Sequence, residues 1–432
     1  MTAGMSQVRK RSGSYAWRRD LARTVAVVGA LAMGTVGASP AAVAAAGQPS
    51  QWYLDAMRAE EIWKSTTGEG IKVAVIDTGV ASTASLKGQV LKGLDATETD
   101  GDATDDYTGH GTTMAELIAG TGKGGGLRGL APGAKIIPMR VATEDFKAEK
   151  SHAWDRSVAI RAAADSDARI ISMSLGGQFL EAREKEAVEY AQEKGKLFFA
   201  PVGNSAKKGN KAEYPANYPE VVGVAASDPE GEVADTSQHG DFVDIAAPGV
   251  DTPFWCDETF SKYCVGNGGT STATALASAS AALIWSANPD WTANQVLRVM
   301  FESAGRGDDW KPGTVSNYLG HGIVRPNAAI NRGIGKPGDP DVSPLTNERT
   351  TAGGSSDAGA PSKDSSDGSA SSPPKPGADG AKDTATGTDA DTANAAKDSG
   401  DDSQLGLILG GAALVAVLAG GAFAVVRRRH SA

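Results

Sequence analysis

The chain has 432 residues and a formal net charge of −10. No basic patch interleaved with aromatics is present, so the balance argues against nucleic-acid binding. Its two ends do not read as folded core, and the roughly 290 residues between them suit one large α/β domain.

At the N-terminus, Lys10, Arg11, Arg18, Arg19 and Arg23 precede an apolar run over 24–36. Small residues follow, and Ala44-Ala45-Ala46 fits a signal-peptidase site, so 1–46 is expected to be a cleaved export signal. The pair Arg18-Arg19 hints at twin-arginine export. Asp20 follows it without a supporting aromatic, which favours general secretion.

The domain is expected over 47–335. Its first strand is predicted at 71–76 (IKVAVI), and Asp77 stands at the end of it, followed by a Thr78-Gly79 turn. The stretch 95–106 (DATETDGDATDD) is dense in carboxylates. Its spacing lacks the final Glu of an EF-hand loop, so it reads as a solvated acidic loop; calcium is conceivable but not indicated, and no cofactor is required. In GHGTTMAELIAG (109–120) the apolar residues suggest a helix with His110 at its first turn. A helix N-terminus disfavours the charged imidazole and a nearby carboxylate favours it, which is the balance a general base needs.

Further strands are predicted at 135–141, 169–174, 196–202 and 220–226, and helices at 154–164 and 180–194, the second capped by Gly195. This alternation predicts a mainly parallel sheet covered by helices, with sites beyond the carboxyl ends of its strands. FFAPVGNSA (198–206) ends such a strand with Gly203-Asn204, where a side-chain amide could face a crevice. The two cysteines, Cys256 and Cys264, form an even pair in an exported domain, which favours a disulfide. No further Cys or suitably spaced His completes a metal site around them. In GGTSTATALASASAAL (268–283), Ser271 enters a long apolar helix among small residues, where free N–H groups supply positive potential. Taken singly, Asp77, His110, Asn204 and Ser271 each have an ordinary reading as turn or cap residues.

Ser271, Asp308 and His321 also stand in the order of an α/β-hydrolase triad. Ser271 lies in Gly-Thr-Ser-Thr-Ala, however, which lacks the second Gly of a nucleophile elbow, so His321 and His239 read as turn residues. From 336 to 403 the composition is almost entirely Asp, Ser, Gly, Ala, Thr, Pro and Lys, which reads as a flexible linker. An uncharged apolar stretch then opens at Leu405 and closes at Val426, long enough to cross a bilayer. Arg427-Arg428-Arg429 follow it, which orients 427–432 to the cytoplasm and the domain outward. No LPxTG-type sorting motif precedes the span.

The four blocks around Asp77, His110, Asn204 and Ser271, in that order, resemble the subtilase (subtilisin-like serine protease) family over about 68–330. That order separates the chain from chymotrypsin-like proteases and α/β-hydrolases. The resemblance implies a three-layer subtilisin-like domain. It implies a triad of Asp77, His110 and Ser271, with Asn204 as oxyanion donor. It also implies that Ser174-Leu175-Gly176 pairs with an extended polypeptide substrate as an added strand. VDIAAPG (243–249) and YLGHGIVRPNAA (318–329) resemble the family's later sheet and closing segment. Two departures bear on specificity rather than activity. Thr272-Ala273-Thr274-Ala275 replaces the common Met-Ala-Thr-Pro, and Thr113 stands where many members carry a second His.

QWYLDAMRAEEIWKSTTGEGIKVAVIDTGV (51–80) is similar to the start of mycosins, the subtilases associated with type VII secretion. The resemblance implies an envelope protease at a secretion machine, with partners in a membrane secretion complex. About 30 residues separate the expected cleavage site from Asp77, too few for a folded inhibitory prodomain. The competing expectation is a structural role, in which the domain braces the secretion complex and catalysis is secondary.

Overall fold

The computed structural model describes residues 49–143, 155–307, 310–311 and 313–350. The expected signal and the expected span between Leu405 and Val426 lie outside the described residues. Among the described residues no helix is long and apolar enough to cross a membrane.

Two short helices, α1 (Trp52–Ala56) and α2 (Ala59–Ile62), precede strand β1 (Lys72–Asp77). After β2 (Leu94–Asp95) come α3 (His110–Ala119), β3 (Lys135–Arg140), α4 (Ser157–Asp165) and β4 (Ile170–Met173). Then follow α5 (Ala182–Glu193), β5 (Leu197–Pro201), β6 (Val222–Ser227) and β7 (Ile245–Pro248). A hairpin of β8 (Thr252–Trp255) and β9 (Tyr263–Gly266) leads into α6 (Gly269–Ala287), α7 (Ala293–Ser303) and α8 (Pro326–Arg332).

The main sheet has seven strands in the order β2-β3-β1-β4-β5-β6-β7, every neighbouring pair parallel. From β1 the chain first runs out to β2 and β3 on one side, then crosses back to β4 on the other. Such a reversal opens a crevice beyond the carboxyl ends of the strands at that point. Along β1 successive side chains feed opposite layers, as the two-residue period of a strand requires. Val73 and Val75 pack with α3 and α6, whereas Ala74 and Ile76 join Ala159, Ile160, Val188 and Ala191 from α4 and α5. The result is a three-layer α/β domain with a mainly parallel sheet.

The central helix α6 is buried along nearly its whole length, and Ala273, Ala275, Ala277, Ala279, Ala281 and Ala282 are fully enclosed. A helix that is apolar all round belongs inside a protein. Its alanines let it lie close to the sheet. Pro289 cannot continue it, and Asn288 leaves helical geometry at φ −139. Helix α7 starts at once with a capping box, the Thr292 side chain on the Gln295 N–H and the Gln295 side chain on the Thr292 N–H.

The expected limit of the domain at residue 335 is too early. The chain stays packed to Thr350: Asn294 Nδ2 donates to the Pro340 carbonyl at 2.9 Å, Arg298 Nη2 to that of Val342 at 2.8 Å, and Leu345 packs against the core. These contacts run mostly through backbone carbonyls, which a Gly/Pro/Asp-rich composition conceals.

Candidate active site

β1 delivers Asp77 into the crevice with no exposed surface. One carboxylate oxygen, Oδ1, accepts from the Thr78 N–H at 2.8 Å and bonds His110 Nδ1 at 2.7 Å. With Nδ1–H donating to the carboxylate, Nε2 is the nitrogen left for proton exchange. The imidazole remains 36% exposed, so a substrate can reach it.

His110 opens α3, and the start of that helix is held by Asp106. Asp106 Oδ1 accepts from the Thr108 N–H at 3.0 Å, the Gly109 N–H at 2.9 Å and the Thr78 hydroxyl at 2.7 Å. Its Oδ2 accepts from the Thr112 N–H at 2.8 Å and hydroxyl at 2.6 Å. The Thr78 hydroxyl accepts in turn from the Gly111 N–H at 3.0 Å. One buried carboxylate thus satisfies orphan N–H groups of the first turn and ties the end of β1 to the start of α3. Asp106 therefore does not belong to a solvated loop, as expected for 95–106. Asp95 likewise is committed, to Arg140 at 2.8 Å. Burial pulls the His110 imidazole toward its neutral form. The Asp77 carboxylate, helped by Asp106, outweighs burial and sets the net direction upward from the ordinary 6.5.

Ser271 is the third residue of α6. Its hydroxyl donates to the Ser174 carbonyl at 3.2 Å, and the Ser174 hydroxyl donates to the Ser271 carbonyl at 3.1 Å. Ser271 is not bonded to His110 in this arrangement. Such bonds are often loose in an empty site and tighten on substrate. His110 lines a cavity of about 290 Å³ together with Gly268 and Thr272, which flank Ser271 in sequence.

Asn204 follows β5. Its Oδ1 accepts from the Thr270 N–H at 2.9 Å and the Thr270 hydroxyl at 3.2 Å, and Nδ2 has no partner among the described residues. Gly269, at φ +62, makes this possible, since a Cβ there would stand 2.3 Å from Asn204 Oδ1. The Ser271 N–H has no partner among the described residues. Two hydrogen-bond donors, Asn204 Nδ2 and the Ser271 N–H, therefore accompany the Ser271 hydroxyl at one helix start.

Ser174, Leu175 and Gly176 leave β4 at its carboxyl end. The backbone groups of Leu175 and Gly176 make no bond among the described residues, which leaves an edge for an extended peptide. Just beyond, Gly177 and Tyr214 exchange N–H···O bonds of 2.9 and 2.7 Å.

Residues 68–322 match the subtilase family of S8 peptidases, more than half of the chain. The chain belongs to the subtilase family. It is a serine endopeptidase. It is 33% identical over 277 residues to thermitase of Thermoactinomyces vulgaris, covering 62% of this chain and 94% of thermitase. Among solved structures it is similar to MycP3 protease from the type VII (ESX-3) secretion system, with a TM-score of 0.55 and 28% identity over 66% of this chain and 88% of that one. MycP1, a serine protease described as an essential component of the type VII (ESX-1) secretion system, gives a TM-score of 0.56 and 27% identity, over 66% and 89%.

In this subtilase the hairpin β8–β9 walls the site. Cys256 and Cys264 are joined by an S–S bond of 2.08 Å across it. The Trp255 N–H donates to the Thr113 hydroxyl at 3.0 Å, and the Tyr263 hydroxyl donates to Glu116 at 2.6 Å, so the hairpin is fastened to α3 at both places. Thr113, where many subtilases carry a second histidine, thus has a structural use here. Burial pushes the Glu116 carboxyl up to about 7. The two other histidines among the described residues, His321 and His239, are engaged elsewhere. His321 stacks on Phe301 at 4.0 Å and is pulled down to about 4 by burial, with a smaller effect of Arg306. His239 stacks on Tyr318 at 4.6 Å. Asp308 lies outside the described residues. Asp106 and Glu116 escaped the sequence reading. An Asp shortly before a Thr-rich helix start is a capping signal that would have found the first.

Proposed function

We propose that this subtilase cleaves polypeptides through an acyl-enzyme, with Asp77, His110 and Ser271 as its triad and Asn204 as oxyanion donor. His110 Nε2 takes the proton from Ser271 Oγ as the oxygen attacks the scissile carbonyl. Asp77, held on Nδ1, fixes the tautomer and stabilises the imidazolium. Asn204 Nδ2 and the Ser271 N–H receive the developing oxyanion, charge that is absent from the bound substrate. The imidazolium then protonates the leaving amine, and water, deprotonated by the same nitrogen, releases the acyl group. The observation that carries this reading is the 2.7 Å contact of His110 Nδ1 with a fully buried Asp77. The test is hydrolysis of unstructured peptides by the full-length chain. Ser271→Ala is expected to abolish it while the melting temperature holds, and unchanged hydrolysis in that variant would refute the mechanism.

We also propose that the enzyme is exported and tethered, acting beside a type VII secretion system. The similarity to MycP1 and MycP3 supports the secretion context. The apolar stretch between Leu405 and Val426, followed by three arginines, supports a single span with the domain outside. Protease added to intact cells should remove the domain and spare a tag placed after Ala432; protection of the domain would exclude this topology.

A further inference from the structure

We infer that Glu213 sets the substrate class by selecting a basic side chain, lysine or arginine, on the residue whose carbonyl Ser271 attacks. This rests on the protease reading above. A peptide laid along Leu175 and Gly176, with its carbonyl at Asn204 Nδ2 and the Ser271 N–H, directs that residue's side chain between two segments. One is 174–177, after β4; the other is 201–204, after β5.

Both segments carry a glycine against this slot, and the space so opened holds the Glu213 carboxylate. A Cβ on Gly176 would lie 2.9 Å from Glu213 Oε2, and one on Gly203 would lie 2.7 Å from Glu213 Cδ. The backbone behind Glu213 is fixed by the Gly177–Tyr214 bridge and by the Asn217 N–H, which donates to the Glu213 carbonyl at 3.0 Å. The carboxylate itself has neither hydrogen-bond nor ion-pair partner among the described residues, and burial alone pushes it up from its ordinary range. Arg156, which passes near Gly177, is committed to Glu184 at 2.9 Å. A half-buried carboxylate without a partner is costly, and a cation brought by the substrate supplies what the protein withholds. Leucine or phenylalanine in the same slot would bury that carboxylate further with nothing to pair it.

The experiment uses the full-length chain and matched peptides that differ only at the residue before the scissile bond, carrying arginine, lysine, leucine or glutamate. A charge-assisted pair at this depth corresponds to roughly 10–100-fold in kcat/KM, so arginine and lysine peptides are expected to lead leucine by that margin. Glu213→Gln, checked for an unchanged melting curve, should erase the margin, and Glu213→Lys should turn the preference toward glutamate. Equal cleavage of arginine and leucine peptides by the unaltered chain overturns the proposal, as does a basic preference that survives in Glu213→Gln. A fluorophosphonate probe on the unaltered chain separates the two readings. Labelling at Ser271 without a basic preference removes only the role of Glu213, whereas absence of labelling removes the protease reading with it.

Discussion

Asp77 places a single oxygen on both Thr78 and His110, so its removal acts through the imidazole rather than on substrate. Asp77→Asn should lower kcat by about four orders of magnitude by presenting the wrong tautomer. Asn204→Ala should cost on the order of 10²–10³ in kcat with KM little changed, because its donor meets charge that exists only in the transition state. The pH profile follows from His110. Only the neutral ring accepts the serine proton, and its pKa is shifted upward, so kcat/KM should fall as pH drops through a value above 6.5. Asp106→Asn removes a negative charge that favours the imidazolium, so the acid limb should move to lower pH, a shift that a merely structural role would not cause. The strand-end and helix-start positions of Asp77, His110, Asn204 and Ser271 were legible because each follows an apolar run or precedes one. Asp106 was missed because by type it matches the exposed Asp102 and Asp105 around it, and only its place just before the Thr-rich helix start sets it apart.

At the scale of elements, five parallel strands could be read from their apolar runs, because a strand buried on both faces leaves few polar residues to hide it. β2 spans two residues and leaves no such trace. The hairpin β8–β9 was missed for a different reason: β9 and the second half of β8 are only partly buried, and beside their antiparallel pairing they are joined by the disulfide and the stacking of Trp255 on Tyr263 at 3.8 Å. Closing so short a loop stabilises by about 2–3 kcal/mol. The double variant Cys256→Ser, Cys264→Ser should lose roughly that much in denaturant unfolding. It should also lose activity beyond what stability explains, since Trp255 and Cys256 line the cavity beside His110. Full activity in the double variant would show that the hairpin wall is dispensable.

For the whole molecule, the folded unit and the expected linker are divided at a different place from the one composition suggested. A chain ending at Thr350 should keep the melting temperature and peptide activity of the full-length protein. A chain ending at Gly335 gives up the contacts of Pro340 and Val342 with α7 and the packing of Leu345. It should be less stable by on the order of 2 kcal/mol, read by thermal unfolding; equal melting of the two would return the boundary to 335. The layered α/β architecture was visible in the alternation of apolar runs and helical stretches, whereas the C-terminal strap binds through backbone groups that any composition supplies. Every expectation about activity depends on Ser271 being an activated nucleophile at the carboxyl end of this sheet. The most direct measurement is mass spectrometry of the full-length protein after reaction with a fluorophosphonate. One adduct, on Ser271, absent from Ser271→Ala and strongly slowed in His110→Ala, is the expected result. No adduct on folded protein, or an adduct on another residue, would contradict it.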